Sequence, residues 1–288
     1  MANIFRIQNF TRLAAAIIVA LAVLSVAAWR AGTWFDDTAL TVWVFDVGQG
    51  DAIFIDAPTK QILIDGGRDA TVLEKLSAVL PPWDRSIDVM IATHPHADHV
   101  RGLNRVLEAY DVGEVVTSGV SYGEVPAIAF QKLVGDATVA TAGMTWDLGH
   151  GARLDVVWPA TAMEGAVLDN VHEGNVVTLL TYGGTTVLLT GDVEQAEEDQ
   201  FVRGLPHVDV LKVGHHGSDT STGFSLLNIT SPTYAVISVG KENDYGHPSN
   251  LVVDRLRRAG AVVLRTDLDG DIRIRSTGGE PDVARIGL

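Results

Sequence analysis

The chain has 288 residues, is 47% hydrophobic and 20% charged, carries a formal net charge of −15 and contains no cysteine. That balance excludes a disordered chain and supplies a core for one large domain or two small ones. The missing thiols exclude disulfides, thiolate metal sites and a cysteine nucleophile. The acidic field repels nucleic acid, so any such contact has to be local, at bound cations and a few basic side chains.

In chain order, Leu13 to Trp29 is an apolar run broken only by Ser25, with Arg6 and Arg12 before it and Arg30 after it. Its length fits a membrane anchor, and the arginines ahead of it favour an inside N-terminus. Ser25-Val26-Ala27 offers a signal-peptide cleavage site as the alternative. Either reading places residues 38–288, the predicted catalytic domain, outside the cytoplasm, anchored or secreted. Residues 1–37 are the anchor or signal segment.

After Thr38, short strands are predicted at Thr41 to Phe45, Ala52 to Ile55 and Gln61 to Ile64, separated by Gly and Pro signals. Ala70 to Leu80 reads as a helix stopped by Pro81-Pro82. Asp88 to Thr93 reads as a strand and Asp98 to Tyr110 as a helix. Further strands are predicted at Leu154 to Trp158, Val176 to Tyr182, Thr186 to Thr190, Val208 to Val213, Ala235 to Val239, Ala261 to Arg265 and Ile272 to Ile274. Helices are predicted at Val193 to Val202 and Ser249 to Ala259, and the charge run Glu194 to Glu198 reads as a solvated helix face. A strand meander followed by strands alternating with helices predicts an α/β fold: two packed sheets with helices outside, in one domain.

Between the fourth strand and its helix lies His94-Pro95-His96-Ala97-Asp98-His99. Imidazole and carboxylate are ligands that first-row dications prefer, and buried imidazoles crowded this closely otherwise lack partners. His94 and His96 are two apart at an extended strand end, so their side chains share a direction and can share one ion. Asp98 and His99, at the next turn, can reach a second ion. Asp192 follows a strand within Thr190-Gly191-Asp192, and a carboxylate can bridge two cations. His215 and His216 follow another strand within Gly214-His215-His216-Gly217-Ser218. Two cations about 4 Å apart hold a shared hydroxide and clamp both oxygens of a displacement. The chemistry this predicts is ester hydrolysis, most naturally of a phosphodiester.

The stretch His94 to His99 resembles the HxHxDH signature of the metallo-β-lactamase superfamily. Asp46-Val47-Gly48-Gln49-Gly50-Asp51-Ala52, Val210-Leu211-Lys212-Val213, Gly214 to Ser218, Tyr245-Gly246-His247-Pro248 and Arg265-Thr266-Asp267 followed by Asp269-Gly270 resemble the C-terminal hydrolase domain of the ComEC competence family. These matches run in order from about Thr38 to Ile274. The resemblance implies a four-layer αβ/βα sandwich, preceded here by the N-terminal hydrophobic helix, with a dinuclear zinc or manganese site between the sheets. It implies that His94, His96, Asp98, His99, Asp192 and one of His215 and His216 are metal ligands, with Asp98 also counted as catalytic. Asp65, in Leu63-Ile64-Asp65-Gly66-Gly67, would orient a metal-loop histidine. One departure is the middle of the chain, where the wider superfamily supplies a third histidine and ComEC-like domains an Asn/Ser-rich stretch. Here Asp169-Asn170-Val171-His172-Glu173-Gly174-Asn175 offers His172 as a ligand or as a plain loop histidine. His150 and His207 match no motif and read as loop residues.

Gln49 and Asp51 could line the site or serve only the turn. Ser218 and Lys212 could contact phosphate, or Lys212 could cap a sheet edge. His247 could donate a proton to the leaving oxygen, while Ser249 caps the helix behind it. The expected function is a membrane-tethered phosphodiesterase, a nuclease acting on DNA as in the competence family. The alternatives are a metallohydrolase on a non-nucleic-acid ester, such as a phosphorylcholine ester, which the acidic balance favours, and a binding protein that kept the fold and lost turnover.

Overall fold

The computed structural model describes residues 17–25 and 38–287. The chain divides into two units, Met1–Asp37 and Thr38–Leu288. In the first, residues 17–25 form a helix with exposed side chains. The rest of the apolar run from Leu13 to Trp29 lies outside the described residues. Among the described residues no helix is long and apolar enough to cross a membrane.

The second unit is built on two sheets. One has eight strands: β1 (Leu40–Val44), β2 (Ile53–Asp56), β3 (Gln61–Ile64), β4 (Ser86–Ala92), β5 (Asp111–Thr117) and β6 (Thr138–Val139), with β14 (Asp271–Ser276) and β15 (Asp282–Ile286) added beside β1. The other has seven, in the spatial order β13 (Val262–Arg265), β12 (Tyr234–Ile237), β11 (Val210–Lys212), β10 (Thr185–Leu189), β9 (Val177–Tyr182), β8 (Ala152–Trp158) and β7 (Thr145–Gly149). The helices are α1 (Thr71–Val79), α2 (Ala97–Ala109), α3 (Val125–Val134), α4 (Gln195–Phe201), α5 (Phe224–Thr230), α6 (Asn250–Arg258) and the single turn α7 (Thr266–Asp269).

Period-two alternation in apolar strands decides the layering. Ile53 and Ile55 of β2 face inward and Phe54 outward; Val187 and Leu189 of β10 face inward and Leu188 outward. The inward residues of both sheets form one central core. The outward residues of the first sheet pack on Val72 and Leu76 of α1, Val100, Leu103 and Val106 of α2, and Phe130 of α3. Those of the second sheet pack on Leu226 and Leu227 of α5 and on Val252, Val253 and Leu256 of α6. Strands buried on both faces lose the polar alternation of a half-wet sheet and become nearly continuous apolar runs. The result is a sandwich with helices outside both sheets.

The site-bearing loops share one edge. β3, β4, β5 and β6 run parallel, as do β10, β11, β12 and β13. The turns after β3, β4, β10, β11 and β12 therefore leave at carboxyl ends of strands, where α/β folds place ligands. Gly66 and Gly102 let α2 dock directly on the turn after β3: a Cβ on Gly102 would strike the Gly66 carbonyl oxygen.

The structure corrects the expectation for α4. The run Glu194 to Glu198 is not a solvated face, because Glu197 and Glu198 are buried. The Glu198 carboxylate accepts backbone N–H bonds from Thr222 (2.6 Å) and Gly223 (2.7 Å), tying α4 to the segment before α5. Its burial pushes its pKa up to about 7, against the pull of those two bonds. Glu198→Ala strands two buried donors, so we expect it to lower unfolding stability by about 2–4 kcal/mol in urea titration. A loss below about 0.5 kcal/mol, the size of an ordinary surface change, would contradict this anchoring role.

Candidate metal centre

The centre begins with Asp65, which follows β3 at a positive φ of 58°, a conformation rare outside glycine. Its Oδ1 accepts the Thr93 backbone N–H at 2.8 Å, and its Oδ2 accepts the Thr93 hydroxyl at 2.6 Å and lies 2.8 Å from His99 Nδ1. The Thr93 hydroxyl proton is thereby used, so its oxygen accepts from His94 Nδ1, 3.1 Å away. His216 Nδ1 donates to the Ser238 carbonyl at 3.0 Å. In His94, His99 and His216 the Nδ1 proton is thus engaged outward, and Nε2 is the atom turned to the centre.

These nitrogens converge on Asp192, which the Thr190-Gly191-Asp192 turn delivers from the end of β10. Asn175 holds that turn: its Oδ1 accepts Asp192 N–H at 3.0 Å and its Nδ2 donates to the Thr190 carbonyl at 2.7 Å. Asp192 Oδ2 lies 3.3 Å from His99 Nε2, 3.4 Å from His216 Nε2 and 3.8 Å from His94 Nε2. His94 Nε2 and His96 Nδ1 are 3.1 Å apart, and His216 Nε2 is 3.5 Å from Asp98 Oδ2. Two nitrogen ligands about 2.05 Å from one tetrahedral ion would be about 3.3 Å apart, so these spacings suit shared cations. His99 Nε2, His216 Nε2 and Asp192 Oδ1 are buried with no hydrogen-bond partner. Such groups cost about 1–3 kcal/mol each unless a ligand satisfies them. The donors form two neighbouring sets, His94, His96 and His172 on one side and Asp98, His99 and His216 on the other, with Asp192 between them.

Charge follows the same division. Burial holds His94 well below the ordinary imidazole range, and burial drives His172 down to about 4. Both are neutral near pH 7, the form that ligates. Burial would also lower His99 and His216, but Asp192 and Asp65 raise His99 well above its ordinary value, and Asp192 and Asp98 push His216 up to about 10. Protons on these two imidazoles therefore balance the buried carboxylates.

Backbone geometry sends His215 and His216 in different directions. The turn Gly214–Gly217 puts both residues at positive φ, 46° and 52°, which splays successive side chains apart. His216 points into the centre. His215 Nδ1 lies 3.4 Å from Glu194 Oε1, and its ring stands 4.3 Å from that of His172 and 5.7 Å from that of His247. His172 sits in a tight turn closed by Asn170, whose Oδ1 accepts the His172 N–H at 3.1 Å and whose Nδ2 donates to Glu194 Oε2 at 2.9 Å. Glu194 thus joins the loops carrying His172 and His215.

Over the centre opens a cleft of about 220 Å³ whose walls include Gln49, Asp98, Asp192 and His247. Tyr122, Glu124 and Tyr245 also line it; sequence reasoning missed Tyr122 and Glu124 because a Tyr or Glu in a loop has no spacing rule, and quoted Tyr245 only within its motif without a role. Asp51, Lys212 and Ser218 do not reach the cleft wall. Lys212 lies on β11, inside the sheet rather than at its edge, and pairs with Asp51 Oδ2 at 2.8 Å, both side chains fully buried. Asp51 Oδ1 lies 3.6 Å from His216 Nδ1, so the pair backs His216 rather than the cleft. Ser218 Oγ is 3.0 Å from the Thr220 hydroxyl.

Residues 45–241 match the family model of the metallo-beta-lactamase superfamily. The chain belongs to that superfamily. It is 36% identical over 249 residues to Recombination protein 2 of Haemophilus influenzae, an alignment covering 84% of this chain and 29% of that protein. It is 30% identical over 245 residues to Competence protein ComA of Neisseria gonorrhoeae, covering 83% of this chain and 32% of that one. The chain thus spans less than a third of the length of these curated relatives. Among solved structures, a variant of the CmlA beta-hydroxylase superposes with a TM-score of 0.52 at 16% identity, covering 82% of this chain and 54% of that one, a likeness of fold alone. In this superfamily the fold implies divalent metal ions, and the donor set described above fits them.

The neighbouring carboxylates raise the pKa of His99 and His216, so metal uptake is expected to release protons at pH 7 and to tighten as pH rises. Calorimetric titration with Mn²⁺ or Zn²⁺ in buffers of different ionisation enthalpy measures this. A binding enthalpy independent of buffer would contradict the charge assignment.

Proposed function

We propose that this chain is a phosphodiesterase that cleaves DNA, using two divalent cations, zinc or manganese, held on either side of Asp192. The observation that carries the reading is the position of Asp192 Oδ2, within 3.8 Å of imidazoles from both donor sets. Similarity to recombination and competence proteins supports DNA as the substrate. The cations supply Lewis acidity toward phosphoryl oxygens and acidify water.

The chain's own residues do the rest. Asp65 and Thr93 fix the ring orientations of His94 and His99, so the ligands do not have to reorganise when a cation binds. Asp51 and Lys212 buttress His216 from behind. His247 stands half-buried on the cleft wall, where it can pass a proton to the leaving oxygen. Burial and its neighbours His215 and His216 lower its pKa, which makes it a stronger acid once protonated. The apolar run Leu13 to Trp29, with arginines before it, supports a membrane anchor that leaves this domain outside the cytoplasm.

A second reading, hydrolysis of a small anionic ester such as a phosphorylcholine ester, is favoured by the charge of −15 and by a cleft without lysine or arginine among the described residues.

The Mn²⁺-loaded chain is expected to degrade a labelled oligodeoxynucleotide, with activity falling at least about 10²-fold in Asp192→Ala and His96→Ala. Turnover of phosphorylcholine esters with DNA left intact would contradict the DNA reading in favour of the second. His247→Asn is expected to lower kcat on the oligonucleotide by about 10²-fold, and much less on bis(nitrophenyl) phosphate, whose leaving group departs without a proton. Equal losses on both substrates would remove the proton-donor role.

A further inference from the structure

We propose that Tyr245, backed by His247, is a stacking platform for an unpaired base beside the scissile phosphate, so that the substrate of this centre is single-stranded. The inference rests on the DNA-cleaving reading above and deepens it.

Tyr245 is 67% exposed, a large aromatic ring left in water at the lip of the cleft. A scattered exposed ring is ordinary; this one lies parallel to a neighbour that is held in place. Its plane lies 12° from that of His247, with the centroids 5.9 Å apart. The loop that carries both is clamped by Asn243, whose Nδ2 donates to the carbonyls of Gly240 (2.9 Å) and His247 (2.8 Å) and whose Oδ1 accepts the His247 N–H at 3.0 Å. Behind His247 comes His215, then His172 of the first donor set. The rings thus form a stepped series leading from solvent to the centre. Tyr122 also lines the cleft, edge-on to His96 at 5.3 Å.

The charge pattern favours such a platform. Proteins that track single strands combine basic grooves with aromatic rings, but no lysine or arginine lines this cleft among the described residues, and the chain is acidic overall. Within the cleft, affinity for a strand beyond the cations has to come from contacts that need no charge. An aromatic face supplies one that every base can use. A duplex keeps its bases stacked on one another and offers Tyr245 no free ring face; an unpaired strand does.

The test compares the Mn²⁺-loaded full chain on oligothymidylate and on an abasic deoxyribose-phosphate oligomer of equal length. The base-bearing oligomer is expected to be favoured about tenfold or more in kcat/KM. Tyr245→Leu should bring that ratio close to one, chiefly through KM, and Tyr245→Trp should keep it. A ratio unchanged in Tyr245→Leu overturns the platform, as does equal cleavage of both oligomers by the unaltered chain; in either case the nuclease reading stands. Cleavage of a duplex but of neither oligomer overturns the single-strand proposal alone; cleavage of no DNA, single- or double-stranded, overturns both.

Discussion

A single buried carboxylate oxygen, Asp192 Oδ2, shared among three imidazoles, is the constraint on which the rest of the architecture depends. Burying that charge is costly unless positive charge meets it. Asp192 and its neighbouring carboxylates raise the pKa of His99 and His216, and in the proposed metal-loaded form divalent cations would take over that role. The arrangement explains why each ligand is itself held. Asp65 fixes His99 directly and His94 through Thr93, Asn175 fixes the Asp192 turn, and Ser238 fixes His216. Left-handed backbone at Asp65, His215 and His216 is strain stored where side chains must be aimed, and the buried hydrogen bonds around them hold it in place.

The sandwich makes this convergence possible from residues far apart in sequence. Asp65 and His94 come from turns of one sheet and Asp98 from the start of α2 beside it, and Asp192 and His216 come from turns of the other. Sheet faces joined through a dry apolar core fix the distance between the two groups of turns. A close-packed interior resists deformation, so the ligand spacings are set by the core as much as by the loops.

Much of this was legible in the sequence, for definite reasons. The strands that carry ligands, such as Val187-Leu188-Leu189 in β10, are apolar on both faces and stand out, and His94 to His99 concentrates metal-seeking groups in six residues. Elements of mixed polarity were not legible. β5 carries Asp111, Gly113 and Glu114, and only Val116 of its seven residues is buried. α3 is apolar on most faces, opens with Val125-Pro126 and has no side-chain cap, and α5 is a short helix without a cap. The run Glu194 to Glu198 misled because burial of an acid depends on distant donors, here the N–H groups of Thr222 and Gly223. The different placement of His215 and His216 turns on two positive φ angles that composition does not encode. The position of His172 beside His94 and His96 likewise depends on a loop whose closure runs through Asn170 and Glu194.

The central claim is that two cations flank Asp192. Anomalous diffraction from crystals of the chain grown with Mn²⁺ or Zn²⁺ tests it most directly. The account expects two peaks about 3.5–4 Å apart, one against His94, His96 and His172, the other against Asp98, His99 and His216, with Asp192 touching both. A single peak, or none with the imidazoles still paired to Asp192, would contradict it.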